Sequence, residues 1–183
     1  EICACLVGSE MCIRDSASYS REFAFSKSTG RPAVLNTKPN DSYTFEGASL
    51  LVDGYHSRPV FTSGAWLGYL DEPLDVTIDM GGEQSYRSVE LETLAEKGDW
   101  IFPPSSVTVW VSDNGTDFTE VASVAVPEAK AGDADGIGRY RMQFPETSAR
   151  YLKVVAQNAA AIPAWHPGAG SKGFLFVDEV VVE

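Results

Sequence analysis

The sequence predicts an all-β fold, an antiparallel β-sandwich or jelly roll of about eight strands. Three observations predict it. Apolar residues recur with a period of two: Leu74, Val76, Ile78 and Met80 alternate with Asp75, Thr77 and Asp79, the pattern of a strand with one face in a core. Turn-forming residues such as Gly81-Gly82 and Asp113-Asn114-Gly115 separate the strand-like segments. No window of about twelve residues sustains the helical period of about 3.6. Short strands with turns between them bury their apolar faces by packing sheet on sheet.

In chain order, residues 17–49 are rich in Ser, Thr, Gly, Pro and Asn and weakly periodic. They read as an entry segment with one short strand, the linker taking 17–44 and the domain 45–183. The segment from Leu74 to Met80 is a strand that Gly81-Gly82 ends with a turn. Val89 and Leu91 alternate with Glu90 and Glu92 in the next. Val107, Val109 and Val111 alternate with Thr108, Trp110 and Ser112, and the turn at Asp113-Asn114-Gly115 leads to Phe118 and Val121. Tyr140, Met142 and Phe144 alternate with Arg141 and Gln143. Tyr151 to Ala156 and Phe174 to Val182 are the last two strands. Bulky residues on both faces of Val177–Val182 predict a strand covered on both sides.

Composition bounds the function. A chain of 183 residues with 44% hydrophobic content is one globular domain with a sizeable core. The formal net charge of −12 excludes nucleic-acid backbones and anionic membrane surfaces as partners and suits neutral ligands and cations. No apolar run approaches the roughly 20 residues of a membrane helix, so membrane insertion is not expected. Cys3, Cys5 and Cys12 are the only cysteines, and their spacing is not that of a structural zinc site. Residues 1–16, and Cys5 to Ser16 above all, read as translated sequencing-adapter read-through rather than native protein.

The chemistry concentrates in Trp165-His166-Pro167-Gly168-Ala169-Gly170-Ser171-Lys172-Gly173. This glycine-rich loop carries an indole, an imidazole and an ammonium into a β-prone strand with two carboxylates. Catalysis has no signature: there is no nucleophile elbow, zinc-binding helix motif or phosphate-binding glycine loop. Carboxylates abound, but none lies in a recognisable glycosidase motif.

Sugar-binding surfaces stack a pyranose face on an aromatic ring and orient it with polar groups. Trp66, Trp100 and Trp165 all stand in loop-like contexts, beside Gly64-Ala65, Gly98-Asp99 and Pro163-Ala164. His56, His166 and Lys172 are the polar candidates that accompany them. The alternative for each tryptophan is core packing, for each histidine a hydrogen-bonded structural role, and for Lys172 a solvated surface.

The order of several pieces resembles the discoidin, or coagulation-factor type C, domain. They are Leu51-Val52-Asp53-Gly54, Trp66, Thr77-Ile78-Asp79-Met80-Gly81, Val107-x-Val109-x-Val111-Ser112-Asp113-Asn114-Gly115-x-x-Phe118, Ala149-Arg150-Tyr151-Leu152-Lys153-Val154 and Asp178-Glu179-Val180. Gly98-Asp99-Trp100-Ile101-Phe102-x-Pro104 and Trp165 to Gly170 look like the C-terminal accessory domain of bacterial family 20 β-N-acetylhexosaminidases. Ser26-x-Ser28-Thr29-Gly30-Arg31-Pro32 resembles the linker before that domain.

The resemblance implies a discoidin-like sandwich, the non-catalytic tail of a periplasmic or extracellular glycoside hydrolase. It implies binding of glycans of the N-acetylhexosamine or galactose type, or docking on the upstream catalytic domain without sugar. It also implies a structural Ca²⁺, with Asp53 and Glu179 as ligands and the carbonyl of Tyr55 as a third, a set that suits an oxygen-seeking cation. The alternative makes Asp53 a turn-capping residue and Glu179 an ordinary carboxylate.

Overall fold

The computed structural model describes residues 23–183. The reading of residues 1–16, with the three cysteines, lies outside the described residues. Seven strands form: β1 (Ala33–Leu35), β2 (Leu67–Tyr69), β3 (Leu74–Ala95), β4 (Ser106–Ser112), β5 (Thr119–Ala125), β6 (Gly136–Gln157) and β7 (Leu175–Val182). Short 3₁₀ turns occupy the connections, among them Gly47–Val52 and Lys97–Asp99.

Two strands of 22 residues each, β3 and β6, serve in both layers. In the first layer the order is β1, the start of β3, the end of β6, β4 and β5; Leu74 pairs with Ala156 and Val107 with Ala156 on the other side. In the second layer the order is β2, β7, the end of β3 and the start of β6, with Leu91 opposite both Tyr140 and Val180. All pairings are antiparallel.

This sharing corrects two expectations. Gly81-Gly82 does not end a strand. Gly81 takes a left-handed φ of 79° and its N–H donates to Asp79 Oδ1 at 2.9 Å. The register shifts between Asp79 and Gln84 while pairing resumes beyond, so the glycines make a bulge that carries β3 from one layer to the other. Likewise the segments around Met142 and Leu152 are one strand, β6; the seven strands among the described residues agree with the expected sandwich of about eight. The turn at Asp113-Asn114-Gly115 forms as expected: Asn114 Oδ1 accepts the Thr116 and Asp117 N–H groups, each at 2.9 Å.

The core lies between the layers. Val76, Ile78, Val107, Val109, Leu152 and Val154 from the first face Val89, Leu91, Val177, Val180 and Val182 from the second, all wholly buried. Each such side chain contributes about 1.5–3 kcal/mol by leaving water. β7 is buried along nearly its whole length on both faces, because its outer side lies under the 3₁₀ turn that holds Leu50, Leu51 and Val52. Residues 23–44 pack on the sandwich as well. The Lys27 N–H donates to Val182 O at 3.0 Å, Ser28 Oγ donates to Val180 O at 2.6 Å, and β1 joins the edge of β3. A second cluster of Trp66, Leu94, Ile101 and Phe176 closes one end of the sandwich.

Candidate functional site

That closed end is where the β3–β4, β5–β6 and β6–β7 connections meet. The β6–β7 loop is fastened by its own backbone: Ile162 N–H donates to Ser171 O at 2.8 Å and Gly170 N–H to Ile162 O at 3.0 Å. The β3–β4 loop is closed by the reciprocal Glu96–Ile101 hydrogen bonds and joined to the start of β7 by Phe174 N–H to Trp100 O, 2.8 Å. Lys97, almost buried, reaches across to the Asp135 carboxylate and donates to Asp133 O at 2.9 Å, which pins the β5–β6 loop to the same end.

His166 is the hub. Its Nδ1 accepts the Gly168 N–H at 3.0 Å, so Nε2 carries the proton and donates to Lys97 O at 2.9 Å. The ring is packed edge-on by Trp100, Phe102 and Trp165, at centroid distances of 6.1, 5.5 and 5.5 Å. It is 8% exposed. Both nitrogens are committed, so His166 orients the aromatics and has no donor or acceptor left for a sugar hydroxyl. The expectation of direct glycan contact is corrected to a positioning role.

Trp100 and Trp165 remain open to solvent, at 43% and 39%. Trp165 is fixed by Nε1–H to Ala129 O, 2.9 Å. Trp100 has a left-handed φ of 64°, an uncommon and costly conformation for a bulky residue. Beside Trp165 runs a groove of about 370 Å³ lined by Phe102, Pro103, Pro104, Pro127, Ile162 and Pro163. Loop context in the sequence marks both tryptophans as candidates, whereas nothing local marks Phe102 and the proline walls.

Three other predicted residues stand apart from this surface. Trp66 is wholly buried in the second cluster and its Nε1–H donates to Arg58 O at 3.0 Å, so no face of its ring can meet a sugar. His56 lies on the outer side of the second layer, with Nδ1 2.8 Å from Oε2 of the buried Glu92. The contact is close but not aligned as a hydrogen bond. Arg139 holds the other oxygen of Glu92. His56 is therefore part of a charge cluster remote from the indoles. Lys172 pairs with Asp71 at 2.6 Å, both well exposed.

The residues expected to hold calcium converge at the other side of β7. Glu179 is wholly buried, and neither of its oxygens has an aligned hydrogen-bond partner. Burial and the charge of Asp53 push its pKa up to about 9, against the pull of the Gly54 N–H. Asp53 Oδ1 accepts the Tyr55 N–H at 2.7 Å and so shapes the turn. The neighbouring Asp178 is buried too and clamps the same turn from below: it accepts the Ser57 N–H at 2.7 Å and the Ser57 hydroxyl at 3.1 Å. Desolvation raises Asp178 to about 7 although both Ser57 bonds oppose it. Among the described residues no three His, Cys, Asp or Glu side chains form a metal cluster, so a cation here would draw on main-chain carbonyls. A buried carboxylate without an aligned partner, Glu179, fits that group, because an oxygen-seeking cation supplies the positive charge it lacks.

The family model of the F5/8 type C domain matches residues 35–172. The chain belongs to the F5/8 type C domain family. No curated protein sequence matches it. Among solved structures, this F5/8 type C domain is similar to CpGH89CBM32-5 from Clostridium perfringens, in complex with GalNAc-β-1,3-galactose. The identity is 17%, the match covers 82% of this chain and 93% of that one, and the TM-score is 0.54. It is similar to chitosan-binding module 1 of a chitosanase/glucanase from Paenibacillus sp. IK-5, with 19% identity, 87% and 99% coverage and a TM-score of 0.55. It is also similar to part of a Ruminococcus gnavus GH29 fucosidase in complex with fucose, with 11% identity, 86% of this chain and 26% of that one, and a TM-score of 0.53. At these identities the likeness is one of fold, and it bears out the sandwich for the F5/8 type C domain.

Proposed function

We propose that this F5/8 type C domain is a non-catalytic carbohydrate-binding module whose binding face is the Trp100–Trp165 end. The observation that carries the reading is the pair of half-exposed indoles set around a buried, fully bonded histidine. Fixed aromatic faces beside a groove are what a pyranose ring needs, since its C–H face stacks while its hydroxyls stay hydrated or find polar partners. The glycan is of the N-acetylhexosamine or galactose type. A solved protein of the same fold in complex with GalNAc-β-1,3-galactose supports this, and one named for binding chitosan supports glycan binding in general.

The module is appended to a periplasmic or extracellular glycoside hydrolase, a family 20 β-N-acetylhexosaminidase by the motifs around Trp100 and Trp165. It raises the concentration of that enzyme at its substrate. Ca²⁺ held by Glu179, Asp53 and the carbonyl of Tyr55 would neutralise the buried carboxylates and stiffen the Asp53–Ser57 turn.

The apolar walls of Phe102, Pro103, Pro104 and Pro127 favour a second reading, in which this end docks on the parent catalytic domain. Calorimetric titration of the chain with GalNAc-β-1,3-galactose, galactose and chitotriose, with calcium or with EDTA, decides between them. Saturable binding that Trp100→Ala and Trp165→Ala each abolish supports the module reading. No heat with any of the three sugars in calcium overturns it and leaves docking.

A further inference from the structure

A further feature lies away from the indoles. Among the described residues only two that are not glycine have a positive φ, Phe45 at 35° and Trp100 at 64°. Both are exposed aromatics, Phe45 at 46%. Holding a bulky residue in the left-handed region costs free energy that core packing does not recover when the ring faces water, and such strain gathers where a side chain is displayed for use. Trp100 already belongs to the proposed binding face. Phe45 does not.

Phe45 stands at the lip of a cleft of about 440 Å³ between the Gly47–Val52 turn and the loop 55–65. A Cβ placed on Gly64, a residue that lines the cleft, would lie 3.6 Å from the Phe45 ring. The volume is that of a small-ligand site and far exceeds what one cation fills. Glu46, Asp53, Tyr55, Ser57, Arg58 and Ser63 supply polar walls, and Leu50 and Val60 supply apolar ones. Glu46 and Arg58 have no ion-pair partner among the described residues. Two carboxylates, Glu46 and Asp53, against the one guanidinium of Arg58 leave the cleft with one net negative charge, which selects against anions, while the Glu46–Arg58 wall suits a ligand of paired hydroxyls. Tyr43, Phe174 and Phe176 are in mutual ring contact, and Tyr43 also meets the Phe45 ring at a centroid distance of 6.4 Å.

We infer that this cleft is a second sugar site, in which a neutral pyranose stacks on Phe45 while Arg58 and Glu46 bond its hydroxyls. The inference extends the glycan-binding reading, and the two can fail separately.

The indole N–H groups make the test. Trp66 donates to the carbonyl of Arg58 at 3.0 Å and so reports the cleft, whereas Trp100 and Trp165 report the other face. The ¹⁵N-labelled chain is titrated with galactose, N-acetylgalactosamine and chitotriose and followed by heteronuclear NMR. The Trp66 indole signal is expected to shift saturably. Phe45→Gly and Arg58→Ala are expected to weaken that isotherm about tenfold or more and to leave the Trp100 and Trp165 shifts in place. Phe45→Gly removes the ring without imposing strain, so its melting temperature stays within a few degrees of the parent's.

Movement of Trp100 and Trp165 with Trp66 unmoved overturns the cleft and leaves the other face standing. A Trp66 shift that survives Phe45→Gly overturns it as well. Movement of Trp66 alone supports the cleft and removes the Trp100–Trp165 face. No movement at any indole overturns both.

Discussion

Gly168 lies flat against Trp100: a Cβ at position 168 would fall 2.8 Å from Cζ2 of the indole. The contact fixes the plane in which Trp100 meets solvent. Gly168→Ala must push the ring aside, an overpacking cost of about 1–3 kcal/mol. The indole is half-exposed and can swing outward, so the stability loss should fall at the low end of that range. Glycan affinity should drop by a larger margin than the melting temperature implies. Paired calorimetry and thermal denaturation check this; equal affinity in the variant would show that the plane of Trp100 is irrelevant.

Glu179, held at about 9, and Asp178, at about 7, keep protons in the folded chain that the unfolded chain releases near ordinary carboxylate values. Between those values the folded state binds more protons, so stability in EDTA falls as pH rises from about 5. The share of Asp178 is spent near neutrality, while that of Glu179 continues to about pH 9. Each group costs at most about 1.4 kcal/mol per pH unit. Glu179→Gln flattens the alkaline limb. Added Ca²⁺ protects most at alkaline pH, where it replaces the lost protons. Denaturation midpoints at several pH values are the measurement, and a flat profile in EDTA would contradict the account.

His56 shares the buried Glu92 carboxylate with Arg139. His56→Ala removes a contact that is close but not aligned as a hydrogen bond and leaves the Arg139 bond in place, so the loss of stability should fall below the about 1–3 kcal/mol of a broken buried hydrogen bond. Binding at the Trp100–Trp165 end should not change. Urea denaturation and a sugar titration of the same variant separate the two effects.

The Lys172–Asp71 pair is exposed on both sides at 2.6 Å. Such pairs are worth about 0–1 kcal/mol, so Lys172→Ala should leave the denaturation midpoint nearly unchanged. A large loss would mean that the ammonium supports the β6–β7 loop in some other way.

The strands that face the core announced themselves, because burial of one face imposes the period of two that Leu74–Met80 and Val107–Val111 carry. Continuity was hidden. Gly81-Gly82 has the chemistry of a turn, and only the resumption of pairing at Gln84 makes it a bulge. β2 is three residues long and has no room for a pattern. At the candidate site, loop context marked Trp100 and Trp165 as displayable. It gave the same marking to Trp66, whose burial depends on Leu94, Ile101 and Phe176 arriving from elsewhere in the chain. The commitment of His166 follows from the carbonyl of Lys97, 69 residues away, a distance no local pattern reports. Phe45 carries no signal at all in sequence; its backbone angle is what singles it out.

Two strands shared between two sheets leave the sandwich no seam along which to come apart by halves. A pull that opens β3 from β6 at Leu74 and Ala156 is transmitted along the same covalent chains to Leu91 and Tyr140. Loss of structure should therefore be a single cooperative event, and amide protons in both layers should exchange with similar protection. The same sharing makes assembly slow, since partners far apart in the chain must meet before either layer is complete. A body built this way is late to form and, once formed, yields all at once.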